Sequence, residues 1–430
     1  MTIRQRAFQR LFKASLIAII MALVIPISCS KKKNKAYLKG VLDSPQPQPQ
    51  SSVPKMLDFT WSEGPTMPQG MQDNSVQVID HWLISVGGFC GGYDNDWKPG
   101  IYPRGFLNKV WGLNMSNEAA GWITFPPLPT AGRQGMLSVQ VGNELYVWGG
   151  LNYTAPGAKK DGYRLSLKNG KWVWQKLPDL PWPLVWSGIC AIGSRIYILG
   201  GADYDTERFY VLTNRNGTIQ HLGSRLISMD TKNLDSGWRE LSPCPGTPRC
   251  LTATAVVDGK IYFIGGVTVS DSNAYLNVVD SWRYDPKADS WQRLRDYPMS
   301  GTGANPGRLL YKDRYILLPA GYQYEHYMKP DGSIAPKYGK PSRIVRTWKQ
   351  HRRLKNKRYY NHFYVYDVRT DLYGRATNLP FDDVATTTIV RGDSVYLFPN
   401  ETAGFVWKGE YFGHHPEFVL KGKIKELDWQ

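Results

Sequence analysis

The sequence lacks most of the short groupings that announce an enzyme. Five cysteines occur in 430 residues, and none forms a CxxC pair, which argues against a clustered metal or thiol site. Seven histidines are present without HxH or HExxH, and no GxSxG elbow or phosphate-cradling glycine loop occurs. A copper radical oxidase would need converging His and Tyr ligands. Only His414-His415 is suggestive, and adjacent loop side chains are expected to diverge, so neither a metal nor a cofactor is expected. No apolar run reaches the roughly 20 residues of a membrane-spanning helix.

Acidic residues are also scarce, 36 against 53 Lys and Arg, for a net charge of +17. The excess is local. Arg4, Arg6, Arg10 and Lys13 precede one apolar stretch, Lys31, Lys32, Lys33 and Lys35 follow it, and eleven basic residues against Glu325 and Asp331 fill 325–358. These three segments account for the whole imbalance, which argues against a nucleic-acid surface spread over the domain.

Residues 1–28 combine a basic start with the apolar stretch Ala14–Ile27, and so read as an export signal. Ile25-Pro26-Ile27-Ser28-Cys29 resembles a bacterial lipobox, although Pro26 stands where Leu is usual. Cys29 is the expected lipidation site, and ordinary secretion or an uncleaved anchor are the alternatives. Residues 29–55, rich in Pro, Gln, Ser and Lys, cannot bury a core and read as a flexible tether. The expected location is the bacterial cell envelope, with a lipid anchor in the membrane. Cys90, Cys190, Cys244 and Cys250 remain; Cys244 with Cys250 is the nearest pair, and buried free thiols are the other outcome.

What the sequence does have is repetition. A short apolar strand, a tight turn and an aromatic strand ending in small residues recur six times: HWLISVGG (81–88), ELYVWGG (144–150), RIYILGG (195–201), KIYFIGG (260–266), RYILLPAG (314–321) and SVYLFPNE (394–401). Turns such as Gly142-Asn143 and Asp258-Gly259 supply residues that tolerate positive φ in two-residue hairpins. A Trp-led strand running into Pro follows most copies, as in VVDSWRYDPKADSWQRLRDYP (278–298).

Four strands, a diglycine and a spaced Trp resemble the kelch repeat, which implies an all-β, six-bladed kelch-type β-propeller over residues 56–430. The last copy lacks its Trp-led strand, and Phe59-Thr60-Trp61 carries that signature with no third strand before it. The N-terminal strand should therefore complete the sixth blade and close the ring. A seventh blade between 202 and 237 is the alternative count.

Minimal 1-2 turns and long 2-3 loops place a site on the 2-3 face, over the axis. The candidate ligand-binding residues are Tyr93, Asp94 and Trp97 in the first long loop, Trp186 before blade 3, and Glu325 in the fifth. Arg133, Arg249 and Arg308 recur at the entries to inner strands, where a ring of guanidinium groups would suit a carboxylate. The basic insertion 322–358 suits an anionic polymer such as glycan, lipopolysaccharide or nucleic acid, and export favours glycan.

Across residues 56–430 the chain also resembles bacterial N-acetylneuraminate mutarotases, which are exported six-bladed kelch proteins. RLLYKDRYILLPAGY, the basic insertion, FYVYD and SVYLFPNETAG follow that family's order, and Arg133 matches its Arg entering the second blade. The family's catalytic Glu falls here on Val267, which cannot exchange protons. Two expectations follow. The first is a monomeric propeller, tethered to the envelope, that binds a carbohydrate or protein on its long-loop face. The second is a mutarotase-like enzyme with Glu401 as the catalytic group.

Overall fold

The computed structural model describes residues 53–91, 104–206, 208–212, 221–269, 275–298, 307–321, 326–328, 334–336, 360–402 and 405–429. The signal segment, Cys29, most of the tether, Tyr93, Asp94, Trp97 and Glu325 lie outside them. Six four-stranded antiparallel sheets follow one another along the chain.

Blade 1 holds Ser75–Ile79, Trp82–Val86, Val110–Asn114 and Trp122–Phe125; blade 2 holds Leu137–Val141, Glu144–Trp148, Gly162–Lys168 and Lys171–Leu177. Blade 3 comprises Gly188–Ile192, Arg195–Leu199, Leu226–Asp230 and Arg239–Leu241, and blade 4 comprises Ala253–Val257, Lys260–Ile264, Ser281–Asp285 and Ser290–Leu294. Blade 5 is built from Leu310–Tyr311, Tyr315–Pro319, Phe363–Asp367 and Leu372–Arg375. In blade 6, Thr387–Arg391, Ser394–Phe398 and Leu420–Glu426 are joined by Leu57–Glu63, with Trp61 opposite Gly422. The count is six, because Leu226–Asp230 belongs to blade 3 and Phe209–Tyr210 pairs only with Asp203–Tyr204.

Alternation on each strand puts apolar side chains on both faces of a blade, and the core is the set of seams between blades. Between blades 5 and 6, Leu57, Phe59, Leu317, Phe363, Leu397 and Leu420 pack in one buried cluster. The outer-strand tryptophans do more than fill space. Trp61 Nε1 donates to Asn378 O at 2.8 Å, Trp122 to Pro65 O at 3.0 Å, Trp174 to Pro126 O at 2.9 Å and Trp291 to Ser242 O at 2.8 Å. Each acceptor is in the strand exit of the preceding blade, so an indole bound for a seam finds a backbone carbonyl there.

The 2-3 connections build extra β-structure. Phe89–Cys90 pairs with Gly105–Phe106, Phe405–Trp407 with Glu410–Phe412, and Val267–Val269 with Tyr275–Asn277. Two short strands of the basic insertion, His326–Met328 and Ile334–Pro336, extend the last of these sheets. Cys90, Cys190, Cys244 and Cys250 are buried free thiols, so the Cys244–Cys250 pairing is not formed.

Candidate functional site at the long-loop mouth

Two residues before the inner strand, five blades place a left-handed residue: Asp73 at φ 52°, Gly135 at 63°, Trp186 at 54°, Leu251 at 53° and Ala385 at 55°. This bend turns each chain across to its neighbour. Gly135 N donates to Asp73 O at 3.0 Å, Trp186 N to Gly135 O at 3.1 Å, and Leu251 N to Trp186 O at 2.8 Å. A collar of backbone bonds thereby links blades 1 to 4 at the inner end of the long-loop face. Blade 6 joins through Asn400, whose Oδ1 accepts Asp73 N at 2.5 Å.

Beneath the collar lies a buried carboxyl. Asp383 accepts from Thr386 Oγ1 at 2.5 Å and from Asn400 N at 3.1 Å. Burial pushes its pKa up to about 8 despite these donors, with the Glu401 charge adding to the rise, so at neutral pH it is largely a neutral acid.

Glu401 follows Asn400 directly and is 7% exposed. Its Oε1 lies 3.6 Å from His414 Nε2. His414 is fixed from behind: its Nδ1 donates to Thr402 O at 2.8 Å, while Thr402 N donates to His414 O at 3.0 Å. The next ring, His415, has its centroid 4.4 Å from that of His414, and its Nδ1 accepts Gly91 N at 2.9 Å. The expectation that the two rings diverge is therefore corrected. The hairpin Phe405–Phe412 returns the chain to Thr402 and presents both rings together.

An aromatic wall stands beside these groups. Tyr153, 54% exposed, meets Phe106 edge-on at 4.8 Å and lies 6.0 Å from Phe89 and 6.5 Å from Tyr204. Burial raises its hydroxyl pKa; Arg104 opposes the rise, whereas Glu401 and Asp73 add to it. These four residues thus share one electrostatic neighbourhood. Trp186 is half-buried, 5.1 Å from Phe209, and its Nε1 donates to Asp73 Oδ2 at 3.3 Å.

The expected ring of arginines does not form at this mouth. Arg133 is 3% exposed and grips Asp161 bidentately at 2.6 and 3.1 Å. Its remaining donors go to Ala131 O, Gly149 O and Thr130 Oγ1. Arg249 is fully buried and bonds Asp280, Thr247 O and Gly265 O. Both guanidiniums tie loop carbonyls and one acid together inside a blade. Arg308 lies elsewhere again, in an axial channel of about 350 Å³ lined by Gln77, Ser138, Gln140, Thr254 and Asp313. Burial and the neighbouring Arg391 lower its pKa. Among the described residues, 307–309 ahead of the two-residue inner strand of blade 5 include no left-handed residue.

Val267 is 4% exposed in apolar packing among Leu151, Ala202, Tyr204 and Cys250. Asp73, Arg104, Tyr153 and Asp383 escaped the sequence reading. One signal for the acids was available, because Gln72-Asp73-Asn74 runs directly into the inner strand of blade 1 and Asp382-Asp383 lies just upstream of that of blade 6.

The protein is a six-bladed kelch-type β-propeller with an acid, two imidazoles and an aromatic wall at its long-loop mouth. Its similarity to known proteins is specific. The family model described as N-acetylneuraminate epimerase matches residues 217–402. N-acetylneuraminate epimerase of Yersinia pestis (strain Pestoides F) is 24% identical over 233 residues, covering 50% of this chain and 55% of that protein. The Haemophilus influenzae (strain PittEE) protein of the same name is 28% identical over 141 residues, 32% of each chain. The chain thus spans about half the length of the first of these relatives and about a third of the second. The solved structure titled "Structure of YjhT" superposes with a TM-score of 0.56 at 12% identity, covering 85% of this chain and 100% of that one, which establishes a shared fold.

Proposed function

We propose that this propeller binds an acidic sugar of the sialic acid class at its long-loop mouth. The observation that carries this reading is Glu401, a buried carboxylate beside a fixed imidazole and close enough to Tyr153 of the aromatic wall for its charge to be felt there. Tyr153 and Trp186 offer flat apolar faces to a pyranose ring, and Asp73 and Glu401 offer acceptors for its hydroxyls. Arg133 and Arg249 are occupied in the interior, so exposed Arg104, whose guanidinium stands 5.6 Å over Phe89, takes the role of carboxylate partner. Similarity to N-acetylneuraminate epimerases supports the ligand class.

A second reading, anomer exchange, is favoured by the same carboxylate. Glu401 would take the anomeric hydroxyl proton as the ring C–O bond breaks and water would protonate the ring oxygen; on closure onto the opposite carbonyl face, water would take that hydroxyl proton back and Glu401 would return its own to the carbonyl oxygen. In this chain Glu401 would act in place of the carboxylate missing at Val267. Export, lipidation at Cys29, residence in the bacterial envelope and a tether over 29–55 belong to the same proposal, which places a monomeric receptor at the cell surface with anionic glycan as a partner for the 322–358 insertion.

Saturation-transfer NMR with N-acetylneuraminic acid tests binding, and anomer exchange rates with and without Glu401→Gln test turnover. Transfer lost in Glu401→Gln and Arg104→Gln supports the binding reading, and its absence in the unaltered protein removes it. Equal exchange rates with and without Glu401 remove turnover. Labelled palmitate that enters the chain but not Cys29→Ala supports the anchor.

A further inference from the structure

We propose that Glu401, His414 and His415 bind one divalent transition-metal ion of the zinc type. The inference shares Glu401 with the sugar site, but metal binding is measured without sugar, so either can fail alone. One donor atom from each residue lies within 4.8 Å of the other two. Zinc bonds of about 2.0–2.1 Å to N and O put tetrahedral ligands roughly 3.3–3.4 Å apart. The Glu401 Oε1 to His414 Nε2 separation of 3.6 Å is within a few tenths of that edge and too long for a good hydrogen bond.

The protonation pattern points the same way. His414 Nδ1 donates to Thr402 O, so the neutral ring carries its lone pair on Nε2, facing the carboxylate. A cation placed between the two atoms would be held by both. A backbone carbonyl on the distal nitrogen is also how metal-bound imidazoles are commonly held. His415 accepts Gly91 N–H at Nδ1, which places its lone pair there; the metal competes with that N–H, and no proton need be released. Gly70 and Gly91 flank His415 so closely that a Cβ on either would collide with its carbonyl oxygen or ring, which fixes the third ligand in place. Two imidazoles and one carboxylate match the donor set of three-ligand zinc sites, leaving a fourth position for water or a ligand oxygen.

The test uses the untagged full chain after chelator treatment, titrated with Zn²⁺ by calorimetry and with Co²⁺ by visible absorption. One saturable ion per chain, a four-coordinate Co²⁺ spectrum and faster hydrogen exchange at Gly91 on loading are expected. His414→Gln and Glu401→Gln should each weaken binding at least ~10-fold, while His81→Gln leaves it unchanged. Near-UV circular dichroism verifies that each variant is folded, and Glu401→Asp gives a milder second probe of the same ligand. Absence of saturable binding, or binding that survives in folded His414→Gln, overturns the site.

Discussion

Arg249 and Asp280 form a buried ion pair. Burial alone would raise the Asp280 carboxyl, yet Arg249 and Arg293 hold it below the usual carboxylate range. Removing one partner leaves an uncompensated buried charge, so Arg249→Ala or Asp280→Ala should lower stability by about 3–5 kcal/mol. Urea denaturation checks this. Arg308→Gln, in the water-accessible channel, should cost less than about 1 kcal/mol; equal losses would place Arg308 in the same structural class.

Asp383 makes stability depend on pH. Its pKa of about 8 in the fold exceeds the roughly 3.9 of an unfolded Asp, so between these values the folded state holds more protons. The stability it confers is fully present below about pH 4 and declines as pH rises toward about 8, by up to about 1.4 kcal/mol per pH unit. Relative to Asp383→Asn, the unaltered protein should lose stability between pH 5 and 8. Parallel curves for the two proteins would mean that Asp383 is ionised in the fold.

Tyr153 is the exposed face of the aromatic wall. Tyr153→Ala should weaken sugar binding about threefold to tenfold, the size of one aromatic contact beyond its area, with an unchanged melting temperature. Binding isotherms and thermal melts together check it. A change in melting temperature alone would make Tyr153 a packing residue.

Gly91 approaches His415 so closely that an added Cβ would stand 2.6 Å from its Nδ1. Gly91→Ala should displace the ring and weaken metal binding at least ~10-fold while the propeller stays folded. Zinc calorimetry and far-UV circular dichroism report the two effects separately.

Much of the architecture was legible because a propeller repeats its physics. Diglycines, aromatic second strands and Trp-led fourth strands mark each blade, and an unpaired Trp61 signature at one end matches a missing strand at the other. The site was less legible for two reasons. An Arg entering an inner strand has the same sequence signature whether it faces a ligand or, as Arg133 and Arg249 do, knits loop carbonyls inside a blade. Glu401 and His414 are brought together by a hairpin whose register no local pattern specifies, and Asp73 reaches Asn400 across 327 residues. His414-His415 was visible as a pair, but its convergence depends on Thr402 and Gly91 holding the rings from two sides.

Trp61 closes one of the seams between blades. Trp61→Phe removes the donor to Asn378 O and should cost about 1 kcal/mol, measured by urea denaturation. A value near zero would mean that water replaces the bond.

The way the chain enters blade 6 also sets how the molecule yields to a pull. Met56, fully buried, donates its N–H to Arg375 O at 2.8 Å and accepts from Leu427 N at 2.9 Å, just before the seven paired residues Leu57–Glu63. Tension from the amino-terminal side meets the bond from Arg375 N to Pro54 O, 2.7 Å long, and then this plug. Once Met56 is drawn out, the antiparallel strand peels one rung at a time from Glu426 toward Leu420 rather than shearing as a block. Mechanical failure should therefore begin with a single high-force event, followed by low-force unravelling of blade 6.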